Sequence, residues 1–118
     1  MQKKYQSKKL EKLYCDRSSF KKKYGLNVAE GLCDLLDAID AATCAYDIKV
    51  IPYFQMHILH NDLKGIYSLS VDNKKTKWRM LLKCINETGI WVKPEDNEIE
   101  FLKSIKIVEL GEFSEHYE

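Results

Sequence analysis

The chain has 118 residues, of which 45% are hydrophobic and 31% charged, and its formal net charge is +1. This length fits one domain over residues 1–118 with a core that needs no disulfide or metal, and the composition excludes an intrinsically disordered chain. No apolar run approaches the roughly 20 residues of a membrane span, and the lysine-rich start lacks the apolar core of a signal peptide. We therefore expect a soluble, cytoplasmic protein that has no membrane partner.

Charge is divided between the two ends of the chain. Residues 1–26 carry nine Lys or Arg residues against two acidic ones, a net charge of +7, whereas residues 95–118 carry eight acidic residues against two lysines, a net charge of −6. A basic arm supplies the salt-dependent part of nucleic-acid binding, although it is more commonly a solvated helix face. Alternatively, the acidic tail of the same chain could lie against this arm and reduce its positive field.

The cysteines predict no metal site. Cys15, Cys33, Cys44 and Cys84 form no Cys-x-x-Cys pair and have no histidine at zinc-ligand spacing. We interpret them as reduced thiols, with Cys33 and Cys84 packing as small hydrophobic groups. The sequence indicates no cofactor.

Helical periodicity dominates the first third of the chain. A lysine-rich segment with apolar residues at helical spacing predicts a short amphipathic helix over about residues 6–15. After a break at Gly25, Asn27 is a candidate N-cap, and an apolar stripe predicts a longer helix over about residues 28–43.

From Ile48 onward the apolar period falls towards two, which is typical of half-buried strands. The predicted strands are Phe54–Ile58, Tyr67–Val71, Trp78–Cys84 and Lys106–Leu110. Turn-forming residues 72–76 make the second and third strands antiparallel neighbours. Helices followed by strands predict an α+β fold, in which N-terminal helices pack on one face of a small, mainly antiparallel sheet.

The alternation along these strands separates two faces of the sheet. Its apolar residues are expected to face the helices. The residues expected on the opposite, open face are His57, Ser68, Ser70, Arg79 and Lys83. Groups suited to acid–base chemistry and to phosphate binding would therefore share one surface.

The segment around these residues also carries a family resemblance. From His57 to Val71 it reads His-Ile-Leu-His-Asn-Asp-Leu-Lys-Gly-Ile-Tyr-Ser-Leu-Ser-Val, and Trp78-Arg79 follows. It resembles the His-x-Leu-Lys-Gly-Asp, Gly-x-Tyr/Trp-Ser-Ile and Trp-Arg-Ile signature of RelE/ParE-type toxins, in particular their HigB, or host-inhibition-of-growth, branch. Lys22–Gly25 and the end of the chain, Glu112–Tyr117, are similar to that branch as well.

The resemblance implies a RelE-like toxin of a type II toxin-antitoxin system, which enters the ribosomal A site and cleaves the messenger RNA under translation without a metal or cofactor. The partners that it implies are the ribosome, the messenger and a cognate antitoxin with a helix-turn-helix DNA-binding domain. In this chemistry the ribose 2′-hydroxyl attacks the adjacent phosphate. The reaction needs a base for the hydroxyl, an acid for the leaving 5′-oxygen and a cation for the phosphate.

The resemblance also implies which residues carry that reaction. His57 is the candidate proton-transfer residue and Arg79 the candidate phosphate clamp, while His60 and His116 or Tyr117 would complete the catalytic set. His60 stands where the family usually has lysine, so that its charge at pH 7 depends on its surroundings. His116 and Tyr117 stand in the order opposite to the family's Tyr-His.

Lys64 and Lys83 are the candidate RNA contacts beside this set. Two other functions remain open at this point. One is a ParE-like toxin that poisons DNA gyrase and leaves messenger intact. The other is an inactive toxin homologue that serves only to bind an antitoxin.

Overall fold

A computed structural model describes residues 1–115, and within them it shows five α-helices and a six-stranded sheet. The helices are α1 (Lys8–Cys15), α2 (Arg17–Tyr24), α3 (Leu26–Ala41), α4 (Ala45–Lys49) and α5 (Glu98–Ser104), with a 3-10 helix (Pro52–Phe54) after α4. The strands are β1 (Gln2–Tyr5), β2 (His57–Ile58), β3 (Tyr67–Leu69), β4 (Arg79–Ile85), β5 (Trp91–Val92) and β6 (Ile107–Ser114). The predicted α+β class is confirmed. In this part of the chain, none of the helices has the length and apolarity that a membrane span requires.

The sheet is mainly antiparallel, as predicted. Its strand order is β1-β6-β4-β3-β2, and β5 pairs with the end of β4. The β1/β6 pair is parallel, whereas the other pairs are antiparallel. The predicted pairing of β3 with β4 is confirmed, with Ser68 opposite Leu81.

Helix α3 packs closely against the sheet. Its buried stripe includes Val28, Leu32, Leu35 and Ile39. A Cβ placed on Gly31 would lie 1.7 Å from the carbonyl oxygen of Val71, so only glycine lets the helix approach the end of β3 this closely.

Two features of the predicted helices differ in the structure. The predicted N-cap, Asn27, is wrong, because α3 already begins at Leu26, directly after Gly25 with φ +94°. Helix α2, which was not predicted, begins where the Asp16 side chain accepts a hydrogen bond from the Ser19 N–H (3.1 Å).

The predicted strand Phe54–Ile58 is largely wrong. Proline at position 52 fixes φ and lacks an N–H, which suits the start of the 3-10 helix that the structure shows there. Gln55 then adopts the left-handed conformation with φ 49°, so that only His57 and Ile58 pair with β3. Phe54 is nevertheless buried in the main core. The last strand continues to Ser114, beyond the predicted end at Leu110.

Ser68 and Ser70 were expected to be exposed on the open face, and this prediction is wrong. Both serines are buried, with exposures of 2% and 0%. A second apolar cluster, formed by Leu59, Ile66 and Leu81, includes the residue that lies opposite Ser68 on β4. The segment after β3 folds over Ser70, whose Oγ accepts a hydrogen bond from the Lys74 N–H (2.8 Å).

The basic arm contacts helix α3, where an ion pair joins Lys3 to Asp40. The lysines of α1 and α2 are exposed. Their positive charge therefore lies at the surface.

Candidate functional site

Three adjacent strands bring His57 and Arg79 to one face of the sheet. His57 on β2 lies opposite Ser68 on β3, which lies opposite Leu81 on β4. Arg79 precedes Leu81 by two residues and therefore shares its face. Strands about 4.8 Å apart, with about 3.4 Å per residue, place the Cα atoms of His57 and Arg79 about 12 Å apart. Both side chains are half-buried and project from the same surface.

His57 is oriented by the backbone before it. Its Nδ1 lies 2.9 Å from the carbonyl oxygen of Gln55, the residue in the left-handed conformation. In the neutral tautomer that carries its proton on Nδ1, this nitrogen donates to Gln55, and Nε2 is left to accept a proton. The side chain of Gln55 donates in turn to Oδ1 of Asn73 (3.2 Å).

Arg79 is clamped along one edge of its guanidinium group. Nη1 donates to the carbonyl oxygens of Thr76 (2.7 Å) and Trp78 (2.8 Å), which uses both of its hydrogens. Within residues 1–115 the Nε and Nη2 groups have no hydrogen-bond partner, and no carboxylate pairs with the guanidinium. This leaves an uncompensated cation with a free pair of donors, which is the geometry that binds a phosphate through two hydrogen bonds.

A buried carboxylate holds the β3–β4 loop, residues 70–78, that clamps Arg79. Asp72 is 2% exposed, and its Oδ1 accepts from Ser70 Oγ (3.1 Å) while its Oδ2 accepts from the Thr76 N–H (3.0 Å). Thr76 thus binds Asp72 through its N–H and Arg79 through its carbonyl oxygen. The buried carboxylate therefore helps to position the arginine. We did not identify this network from the sequence, although Ser70 and Asp72 two residues apart are a known turn-capping pattern.

Stacked aromatic rings hold the start of β4 in place. The rings of Trp78 and Phe113 are nearly parallel, with an interplanar angle of 5° and centroids 5.6 Å apart. Tyr24 at the end of α2 contacts Trp78 edge-on, with centroids 4.6 Å apart. Because Trp78 directly precedes Arg79, these contacts set where the arginine leaves the core.

His60 lies apart from His57. It is exposed on the β2–β3 loop and lines a cavity of about 300 Å³ together with Lys64, Lys93 and Glu95. His57 lines a different cavity. The two histidines are close in sequence but do not line a common pocket.

Lys83 lies at the margin of this surface. Lys83 is half-buried on β4, on the same face as Arg79, with its ammonium group 4.6 Å from the centroid of the Trp91 ring. His116 and Tyr117 lie outside the described residues. Strand β6 ends at Ser114, which pairs with Arg79.

A family comparison identifies a match over most of the chain. The model for the RelE-like toxin of the type II toxin-antitoxin system HigB matches residues 3–95, which include His57 and Arg79 but neither α5 nor β6. No individual curated protein gave a match. The family model covers well over half of the chain. The chain therefore belongs to the HigB-like family of RelE-like toxins of type II toxin-antitoxin systems.

Proposed function

We propose that this toxin is a ribosome-dependent endoribonuclease that cleaves messenger RNA and so stops translation. Membership of a type II family implies a cognate antitoxin as its partner. The observation that carries the proposal is that His57, a proton acceptor held in one tautomer, shares a sheet face with Arg79, whose guanidinium pairs with no carboxylate of residues 1–115. A gyrase poison or a pure binding module has no need of this pairing.

The chemistry follows from these two groups. The 2′-hydroxyl of a ribose attacks the adjacent phosphorus while His57 Nε2 takes its proton, and the Nδ1 contact to Gln55 stabilises the imidazolium that forms. The free N–H groups of Arg79 donate to the non-bridging oxygens, on which negative charge builds up. The bond to the 5′-oxygen breaks, leaving a 2′,3′-cyclic phosphate and a 5′-hydroxyl. For the acid that protonates the leaving oxygen, we propose His60, His116 or Tyr117.

Lysines beside this pair supply RNA contacts in the proposal. Lys83 follows Arg79 by four residues on the same strand face, about 14 Å further along the sheet. Lys64 is exposed on the loop that carries His60. With the exposed lysines of α1 and α2, they give the toxin a positive surface on which a phosphate backbone can lie.

The test is messenger cleavage in a reconstituted translation reaction, mapped by primer extension. We expect wild-type toxin to cut within translated codons, and His57→Ala to lower kcat by about 10² to 10⁴-fold. Arg79→Ala should do the same, and Arg79→Lys should restore only part of the rate, because lysine keeps the charge but not the paired donors. Lys106→Ala, an exposed control, should cut like wild type.

Two results would contradict the proposal. Intact messenger with wild-type toxin excludes the nuclease, and growth arrest without cleavage would then direct attention to gyrase. Cleavage that Arg79→Ala leaves unchanged would show that the reaction occurs elsewhere on the protein.

A further inference from the structure

A cationic cavity lies beside His57, at the edge of the sheet. It has a volume of about 390 Å³. Its lining residues are Lys49, Ile51, Pro52, Gln55, Met56, His57 and Lys74. Two lysines and a histidine line it, and none of the carboxylates within residues 1–115 does.

The charge of this cavity distinguishes it from three other cavities in residues 1–115. The cavity beside His60 includes three carboxylates, and the one beside Lys83 includes two. The largest of them, of about 480 Å³ between the end of β4 and α5, includes Glu87. In those cavities, carboxylates on the same wall can compensate the positive charge of the lysines. Lys49 and Lys74 have no such neighbour on the wall of their cavity.

Local hydrogen bonds hold the loop over this cavity. Lys74 has a φ of 62°, which is strained for a residue with a side chain, and its N–H donates to the buried Ser70 Oγ (2.8 Å). Asn73, with φ 56°, accepts a hydrogen bond through its side chain from Gln55, which lines the cavity. The loop that carries Lys74 is thus held by Ser70 and by a residue of the cavity wall.

We propose that this cavity is a binding subsite for a phosphodiester of the RNA strand, adjacent to the phosphodiester that is cleaved. The proposal rests on the nuclease function proposed above. His57 belongs both to this cavity and to the face shared with Arg79, so a strand that crosses His57 places one phosphate at Arg79 and its neighbour at Lys49 and Lys74. Two flexible ammonium groups hold a phosphate by charge, without constraining its base. The subsite would therefore bind messenger independently of sequence.

The salt dependence of RNA affinity tests this subsite. The probe is a short single-stranded RNA, fully 2′-O-methylated so that it cannot be cleaved, and its binding is followed by fluorescence anisotropy. Each phosphate contact that is lost reduces the slope of log affinity against log salt by about 0.7 for a single strand. We expect Lys49→Gln/Lys74→Gln to reduce the slope by about this amount. The matched control, Lys103→Gln/Lys106→Gln, removes the same charge outside the cavity and should keep the wild-type slope.

Three outcomes would overturn the subsite: no RNA binding by wild type, an unchanged slope in the cavity variant, or equal losses in both variants, which would indicate a net-charge effect. A titration with inorganic phosphate, followed through the NMR shifts of the His57 ring, distinguishes a site for free anions from a site for the RNA backbone. Phosphate binding that the cavity variant abolishes, without any change in the RNA slope, would assign the cavity to a free anion and overturn the proposal.

Cleavage measured in parallel keeps this proposal separate from the proposed function. If wild-type toxin leaves messenger intact while the cavity variant loses RNA affinity, the nuclease function is contradicted and the subsite is supported. If wild-type toxin is active and the cavity variant keeps the wild-type salt slope and KM, the nuclease function is supported and the subsite is contradicted. Thermal unfolding of each variant, together with rescue by Lys49→Arg/Lys74→Arg, excludes misfolding as the cause of a loss.

Discussion

Replacing Asp72 by alanine should both destabilise the protein and impair Arg79. The carboxylate is buried and accepts hydrogen bonds from Ser70 Oγ and the Thr76 N–H. Hydrogen bonds to a charged group contribute about 1.5–3 kcal/mol each, and removing a buried charge recovers part of its desolvation cost, so we expect a net loss of about 2–4 kcal/mol. With an unfolding entropy of about 2.1 cal/mol/K per residue, this corresponds to a fall in Tm of about 8–16 °C.

The assay measures thermal unfolding and messenger cleavage on the same preparations. Asp72→Asn keeps one oxygen acceptor and should lose about half as much stability as Asp72→Ala. Because the Thr76 carbonyl holds Arg79, the alanine variant should also lose kcat at temperatures where it is still folded. Asp37→Ala, an exposed position on α3, serves as the control. A Tm within about 2 °C of wild type would refute the stability argument, and an unchanged kcat would refute the coupling to Arg79.

Two further predictions concern packing and ionisation. Gly31→Ala should destabilise the protein in urea unfolding, although this change stabilises most helices by about 1 kcal/mol, because the new Cβ would meet the Val71 carbonyl oxygen at 1.7 Å; a stabilised variant would show that α3 can move away. Burial, with the charge of Glu98 nearby, raises the pKa of the Cys84 thiol to about 12, so iodoacetamide at pH 8 should label Cys15 and spare Cys84 in peptide mapping. Because the folded state favours the neutral Cys84 thiol, the stability that this thiol contributes is complete below about pH 8.5 and is lost as the pH rises towards 12. Equal labelling of the two thiols would contradict the raised pKa on which both statements depend.

The parts of the fold that could be predicted are those with long, regular periodicity. Helix α3 and the β3–β4 pair each repeat an apolar pattern over many residues, and each depends mainly on contacts near in sequence. Strand β1 could not be predicted, because Gln2–Tyr5 is polar and pairs with a strand at the opposite end of the chain. Strand β5 has only two residues, too few for any period to be detected.

The candidate site divides in the same way. His57 and Arg79 could be proposed from the resemblance, and alternation correctly placed them on one face. Their supports could not be proposed, because alternation assigns Ser70 to the exposed face and cannot show that a loop folds over it to reach Asp72. Lys74 likewise appears in sequence as an ordinary turn residue, and its relation to the cavity depends on where that loop closes.

The position of Arg79 depends on residues beyond the segment that the family model matches. Strand β6 lies between β1 and β4, and its Phe113 stacks on Trp78 while Ser114 pairs with Arg79. The pairing shifts register where two steps along β4, from Met80 to Leu82, lie opposite three along β6, from Phe113 to Leu110, so the bulge is in β6 and lies next to the residues that pair with the start of β4. Family membership is thus carried by residues 3–95, whereas the geometry of the proposed phosphate clamp is completed by a strand outside them. Substitutions in β6 should therefore act on Arg79 as directly as substitutions within the matched segment.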